Sequence, residues 1–237
     1  MTTAPGSPAT PAWPRRLPAI AGTGYLAAWI AGLAVWPSNL ALNATSAQVT
    51  AAYRSQAGPA MTQYLLVEGV AGVLLAVVLT CAVLPAQHGR LAARALPAAV
   101  LSAVAVAVSL AQCVLGLMLT AAAEHGDVSR AGTLSVLVTR LDGAKMVALA
   151  GVAGYLALRR LDYGLPRWLR VTAILTAATL IASGCVYLLL ANSLAWTVYL
   201  SGPLLVIWVT GTGFCLSATG AAGRRWRRRP ITTTFPA

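Results

Sequence analysis

Six long apolar segments dominate this sequence, and they restrict its fold more than any other feature. A helix that crosses a bilayer core of about 30 Å needs about 20 apolar residues, because each residue rises about 1.5 Å. Lipid chains form no hydrogen bonds, so each crossing segment must satisfy its backbone polar groups within a helix. We therefore predict an all-α, polytopic membrane protein with six transmembrane helices in one bundle. The predicted spans are residues 17–36, 61–84, 95–121, 143–158, 171–191 and 196–219.

The composition agrees with this prediction. Hydrophobic residues make up 58% of the 237 positions and charged residues only 9%, whereas soluble domains average about 25% charged residues. The fourth segment is the shortest, and it begins inside the stretch Arg140–Gly151, which contains Asp142 and the only lysine, Lys145. We expect both charges at the outer membrane boundary, where a charged side chain can reach water at little cost.

The basic residues predict the orientation of the bundle, because short cytoplasmic loops carry an excess of Lys and Arg. With the amino terminus inside, 13 bases fall on the cytoplasmic side and 4 on the outer side. The bias towards alanine and arginine is typical of a GC-rich bacterial genome. We therefore predict a protein of the bacterial plasma membrane with both termini in the cytoplasm. The outer bases are Arg54, Arg130, Arg140 and Lys145.

The two terminal segments differ from the membrane domain in composition. Residues 1–16 are rich in Pro, Ala, Thr and Ser, which predicts a disordered cytoplasmic segment. Residues 17–222 form the predicted membrane domain, and residues 223–237 form a basic cytoplasmic tail. We interpret the tail as a topology anchor on anionic lipid headgroups, with a regulatory lipid or nucleic-acid site as the alternative. Its headgroup-binding residues are Arg224, Arg225, Trp226, Arg227, Arg228 and Arg229.

The two longer outer loops each contain a helical pattern. Within residues 37–60, the stretch SAQVTAAYRSQ predicts a short helix that is capped by Ser46. In the second outer loop, apolar residues recur every three or four positions, and polar residues take the other side. This pattern predicts an amphipathic helix on the outer surface, which starts near Asp127 or Ser129 and runs into the fourth span. Its apolar residues are Leu134, Leu137, Val138 and Leu141.

Strongly polar side chains inside the spans concentrate in their outer half. Glu68 lies within the second span, where an unpaired carboxylate carries a large free-energy cost. Charged residues in membranes usually face the bundle, so Glu68 needs a partner or a function. Tyr64 precedes it by four residues and therefore shares its helical face. The candidate ligand-binding residues are Gln63, Tyr64, Glu68, Gln112, Asp142 and Lys145.

Two interpretations of this polar cluster stay open. In the first, Glu68 pairs with Lys145 or Arg140, and the network fixes the packing of the helices. In the second, the cluster lines an outward-opening pocket for a small or lipid-like ligand, with Glu68 as its charged determinant. A proton-coupled step at Glu68 is a special case of the second. A separation of more than about 8 Å between Glu68 and Lys145, with no room for a bridging water, would exclude their pairing.

The residues of common catalytic and cofactor sites are missing from the spans. The four cysteines form no C-x-x-C pair, and His88 and His125 lie in loops on opposite sides. This pattern argues against a thiol oxidoreductase, a haem held between histidines and an intramembrane metal site. No buried nucleophile with a base and no nucleotide motif is present. We predict no catalytic activity, no cofactor, no metal site and no nucleic-acid partner.

The joint between the fourth and fifth spans reads LDYGLPRWLR, from Leu161 to Arg170. In this motif and in its six-span layout, the chain resembles small, uncharacterised actinobacterial membrane proteins that are grouped as domains of unknown function. The resemblance implies the same fold and carries no activity. From the residues, we expect a protein that binds or helps to move a small hydrophobic or amphipathic ligand through the polar cluster. The alternative is a non-catalytic scaffold or partner subunit, as a homo-oligomer or with another protein.

Overall fold

The computed structural model describes residues 16–36, 40–83, 90–158, 166–190 and 196–227. Within these ranges every regular element is a helix, and six helices are long and apolar enough to cross a membrane. The predicted all-α bundle with six transmembrane helices is therefore confirmed. The observed spans are Leu17–Val35, Ala57–Val83, Ala95–Glu124, Val128–Leu158, Arg167–Leu189 and Thr197–Ala218.

The helices follow one another with short connections. α3, a π-helical segment and α4 continue without a break and together form the second span. The elements are α1 (Leu17–Val35), α2 (Ser46–Ser55), α3 (Ala57–Gln63), the π segment (Tyr64–Val70), α4 (Ala71–Val83), α5 (Arg90–Glu124), α6 (Val128–Leu158), α7 (Arg167–Leu189) and α8 (Thr197–Arg227).

The six spans form a ring in which each helix packs against the next. The order around the ring is α1, α4, α5, α6, α7 and α8, and α8 closes it by packing against α1. We call the end of the bundle that carries α2 the α2 end, and the end at which α1 begins the Arg16 end. The α2 end corresponds to the side that the arginine distribution predicts to be outside.

The fourth span begins much earlier than the predicted residue 143. α6 runs unbroken from Val128 to Leu158, so the expected surface helix is the first half of a transmembrane-length helix. Leu134 and Val138 are buried because α2 and α5 pack against that half of α6. Part of the apolar stripe that predicted a helix lying on the membrane thus contacts protein, whereas Leu137 of the same stripe is exposed. Asp127 caps α6 as expected, accepting a hydrogen bond from the backbone N–H of Arg130 at 3.0 Å.

The other predicted spans differ from the structure by a few residues at their ends. The second span begins at Ala57 rather than residue 61, and the third continues to Glu124 rather than residue 121. The fifth begins at Arg167, directly after Pro166, whose extended backbone precedes the first turn. These shifts lengthen the helices chiefly at the α2 end, where α2 itself supplies additional packing partners.

α2 lies across the α2 end of the bundle and packs against α5 and α6. Its cap is Thr45 rather than the predicted Ser46. The Thr45 hydroxyl accepts the Gln48 N–H at 3.3 Å, and the Gln48 side chain accepts the Thr45 N–H at 2.9 Å. Such a reciprocal capping box stabilises a short helix that is marginal by itself. Val49 and Tyr53 then bury their side chains beside Leu119 of α5.

Small residues allow the spans to approach closely. A methyl group added at Gly143 of α6 would lie 2.8 Å from the carbonyl oxygen of Gly184 in α7. Such close backbone contact is the main source of helix association in lipid, where the hydrophobic effect is weak. Because Gly143 lies between Asp142 and Lys145 in the sequence, this contact fixes the part of α6 that carries both charged residues.

Several predictions fall outside the part of the chain that the structure describes. These include the disordered segment up to residue 15, the joint at residues 159–165, and Arg228 and Arg229 in the tail. α8 continues as a helix to Arg227, so the backbone of the first tail residues extends the last span. Those helical tail residues are Arg224, Arg225, Trp226 and Arg227.

Candidate functional site

Glu68 and Lys145 form a buried ion pair between the π segment and α6. The Lys145 Nζ donates to both Glu68 carboxylate oxygens at 2.8 Å. Only 11% of the Glu68 side chain and 9% of the Lys145 side chain are exposed. The predicted pairing of Glu68 with Lys145 is therefore confirmed, while Arg140, the other candidate partner, lies exposed on α6.

Asp142 completes the group, which we call the carboxylate–lysine triad (Glu68, Asp142 and Lys145). Its Oδ1 lies 2.8 Å from Lys145 Nζ, one helical turn away on α6. The Asp142 side chain is 23% exposed, about twice the exposed fraction of Glu68. The triad thus contains two carboxylates and one ammonium group, and Asp142 is its more accessible carboxylate.

Ser109 of α5 also contacts the triad, although the sequence did not predict it. Its hydroxyl donates to Glu68 Oε2 at 2.7 Å, which ties α5 to the second span. Gly72 makes room for this contact, because a methyl group there would lie 3.2 Å from the Ser109 Oγ. Ser109 lies three residues before Gln112 and shares its helical face. That spacing was the signal in the sequence that could have identified it.

The π segment determines where Glu68 points. At its end, the Ala71 N–H bonds to the carbonyl of Leu66, five residues back. The wider turn rotates the side chains that follow relative to a regular α-helix, and such segments are frequent at functional sites. The sequence YLLVEGV gives no sign of this geometry. Gly69, within this segment, faces the Cys113 sulfur on α5.

The triad lies further from the starts of its helices than the sequence predicted. Lys145 follows the first residue of α6 by 17 positions, which corresponds to about 26 Å of helix. Glu68 follows the first residue of α3 by 11 positions, or about 17 Å. Asp142 and Lys145 do not lie at the start of their helix, as the sequence predicted, because α6 begins 14 residues before Asp142. Mutual pairing, rather than exposure to water, compensates for the burial of these charges.

Tyr64 takes part in a second polar contact, nearer the α2 end. Its hydroxyl lies 2.9 Å from the hydroxyl of Tyr53 in α2, and its ring packs over Gly116 of α5. Burial raises the pKa of Tyr53, which lies outside the spans, above the ordinary tyrosine value. Tyr64 therefore connects the second span to α2 instead of binding Glu68.

The two candidate glutamines occupy different surroundings. Gln112 is almost completely buried, and its Nε2 donates to the carbonyl of Val138 at 3.2 Å. Its Oε1 has no partner within the part of the chain that the structure describes. The Gln63 side chain lies next to Gly32 of α1, away from Lys145. Of the six predicted residues, the structure brings Glu68, Asp142 and Lys145 into direct contact.

A small cavity borders the triad on the side facing α1 and α8. Its volume is about 20 Å³, which is enough for about one water molecule. Ser109 and Lys145 are the polar residues of its lining, together with Tyr25, Trp29 and several aliphatic side chains. Among the described residues, no group of His, Cys, Asp and Glu has a geometry that could hold a metal ion. The arrangement provides charge and hydrogen bonding, and its free space is limited to a single water.

Comparison with protein-family models, curated proteins and solved structures found no match to this chain. The resemblance to actinobacterial six-span proteins therefore stays a prediction. The function has to be argued from the charges, contacts and burial of the triad.

Proposed function

We propose that this multi-pass membrane protein binds, and helps to move, a small amphipathic molecule through the polar cluster around the triad. One observation carries the proposal, namely that the buried triad contains one carboxylate more than its single ammonium group can balance. Buried charges in membrane bundles are expensive and commonly mark substrate or ion pathways. An amphipathic cation would supply the missing positive charge and place its apolar part among the helices.

The geometry suggests how such a ligand would enter. Asp142 is the more exposed carboxylate of the triad, so an incoming ammonium group would meet it before it meets Glu68. Lys145 bonds to both carboxylates, and its flexible stem allows it to stay with Glu68 while Asp142 changes partner. The cavity of about 20 Å³ would have to widen for any ligand larger than water.

The alternative is a non-catalytic scaffold or partner subunit in which the triad is purely structural. The scaffold is favoured because both carboxylate oxygens of Glu68 already accept hydrogen bonds, from Lys145 and from Ser109. The small volume beside the triad favours it as well. In that case the network only fixes the packing of the second span, α5 and α6, and the bundle never needs to open.

Thermal unfolding of the purified chain in detergent distinguishes the two functions. The probes are octylammonium, octanol and octanoate, which share a chain length and differ in charge. We expect octylammonium to raise the unfolding midpoint of the wild type more than the other two probes do. Asp142→Asn should remove that difference, whereas Glu124→Gln, at an exposed carboxylate of α5, should keep it. Equal effects of all three probes on all three proteins would support the scaffold.

We also infer that the bundle lies in a bacterial plasma membrane with its α2 end outside. The support is the excess of bases in the joints at the Arg16 end, which is typical of cytoplasmic loops. Ser55→Cys places a thiol at an exposed position of α2, while the native cysteines all fall within spans. In intact cells, a membrane-impermeant maleimide should label Ser55→Cys and should not label Thr232→Cys. The reverse labelling pattern would mean that the α2 end lies in the cytoplasm.

A further inference from the structure

A shallow groove follows α1 on the outside of the bundle, starting at the Arg16 end. Its volume is about 410 Å³, which is far larger than the cavity beside the triad. Five of its lining residues lie on one face of α1, Arg16 directly precedes that helix, and Phe214 of α8 adds a further side chain. The lining consists of Arg16, Ala19, Ile20, Thr23, Gly24, Ala27 and Phe214.

The groove exists because α1 presents small side chains here while α8 fixes its position. The Ala19 N–H donates to the Ser217 hydroxyl at 3.0 Å, and the Thr210 hydroxyl donates to the Gly22 carbonyl at 3.1 Å. These bonds hold the two helices together below the groove. The Thr23 hydroxyl donates to the Ala19 carbonyl at 3.0 Å, so it leaves the groove surface largely apolar.

The dimensions and charge of the groove match a single lipid chain with its headgroup. From Arg16 to Ala27 the groove covers 11 residue steps, or about 17 Å of helix, close to the roughly 15 Å depth of one leaflet. Arg16 is exposed at one end, at the positive end of the α1 dipole. A guanidinium group binds phosphate oxygens through two parallel hydrogen bonds.

We propose that this groove binds one anionic phospholipid, with an acyl chain along α1 and the phosphate on Arg16. An anionic headgroup is favoured over a zwitterionic one because it has no ammonium group of its own to compete with Arg16. The proposal is independent of any ligand at the triad, which lies on the inside of the ring.

A second copy of the chain is the competing occupant. Ala19, Thr23 and Ala27 recur every four residues, a spacing that also supports helix association in membranes. However, two copies inserted in the same membrane share one orientation, so a symmetric contact would bring both Arg16 side chains to the same depth. That repulsion of like charges favours an anionic lipid over a second copy.

Native mass spectrometry of the full-length protein tests the proposal. The protein in detergent is mixed with phosphatidylglycerol or with phosphatidylcholine of the same chain length, and lipid retention is measured. We expect wild type to retain one phosphatidylglycerol, and Arg16→Gln to retain it about fivefold less. Arg167→Gln is the matched control, because Arg167 is exposed at the same end of the bundle and does not line the groove.

A second pair of variants tests the apolar part of the groove without changing charge. Ala27→Trp should fill the far end of the groove and lower phosphatidylglycerol retention, whereas Ile174→Trp, on the exposed face of α7, should not. Equal losses in Arg16→Gln and Arg167→Gln would overturn the proposal in favour of a diffuse surface charge. A lipid-free dimer of the wild type that Ala27→Trp dissociates would overturn it in favour of a second copy.

Discussion

The region around the triad and the Arg16 end of the bundle differ in the contacts that hold their helices together. Around the triad, ion pairs and hydrogen bonds connect the second span to α5 and α6. Towards the Arg16 end, buried leucines and alanines such as Leu79, Leu156 and Ala157 fill the core. Because lipid removes most of the hydrophobic drive for helix association, directional bonds are important around the triad, whereas close apolar packing is important towards the Arg16 end. The two regions should therefore respond to different substitutions.

The largest effect is expected from Lys145→Met. This change keeps the approximate length of the side chain and leaves two carboxylates without their ammonium partner. Breaking a buried ion pair from one side costs about 3–5 kcal/mol, so we expect a large drop in the unfolding midpoint in detergent. Arg140→Met is the matched control on the exposed face of α6 and should change the midpoint little.

The combined variant Glu68→Gln, Asp142→Asn and Lys145→Met sharpens this test. It removes all three charges, so it should recover much of the stability that Lys145→Met loses. No recovery in the triple variant would mean that the loss comes from side-chain packing. The contrast between the triad and the Arg16 end would then fail.

At the Arg16 end, Leu156→Ala should cost about 2 kcal/mol, because it leaves a cavity in the leucine and alanine core. Leu158, on the same helix, is 83% exposed while Leu156 is 3% exposed. Leu158→Ala should therefore leave the free energy of unfolding almost unchanged. Chemical denaturation in detergent measures both variants, and similar losses would show that packing at this end is not specific.

A smaller loss is expected from Ser109→Ala. Its hydroxyl donates to a carboxylate, and a hydrogen bond to a charged group contributes about 1.5 kcal/mol or more. Gln112→Leu should be nearly neutral, since it loses one bond to Val138 and also removes a buried oxygen without a described partner. A larger loss in Gln112→Leu than in Ser109→Ala would show that Gln112, and not Ser109, anchors α5.

The sequence was sufficient for the fold and for the central pair of the site. Six apolar segments of membrane length leave few alternatives to a six-helix bundle. Glu68 and Lys145 could be paired because opposite charges are rare within the spans and an unpaired one would be costly. Both inferences rest on the free energy of moving groups from water to lipid, which depends on composition more than on geometry.

Other features depend on tertiary contacts that no local pattern encodes. The π segment carries Glu68 and Tyr64, whose partners lie on other helices, and no pattern in its sequence predicts the wider turn. The first half of α6 has the amphipathic pattern of a surface helix, but α2 and α5 pack against it and bury Leu134 and Val138. A single sequence shows that a stripe is apolar without showing what covers it, so the sequence placed the start of the fourth span too late.

A loss smaller than that of Ser109→Ala is expected from Tyr53→Phe, at the contact between α2 and the second span. Losing the bond between the Tyr53 and Tyr64 hydroxyls should cost about 1 kcal/mol below pH 10. Burial raises the pKa of Tyr53 in the folded state, so the fold favours the neutral phenol. This contribution is fully present below the unfolded pKa of about 10 and is lost as pH rises above it. The stability gap between wild type and Tyr53→Phe should therefore shrink above pH 10. A gap that stays constant there would mean that Tyr53 titrates as a solvent-exposed tyrosine and that α2 does not cover the bundle in solution.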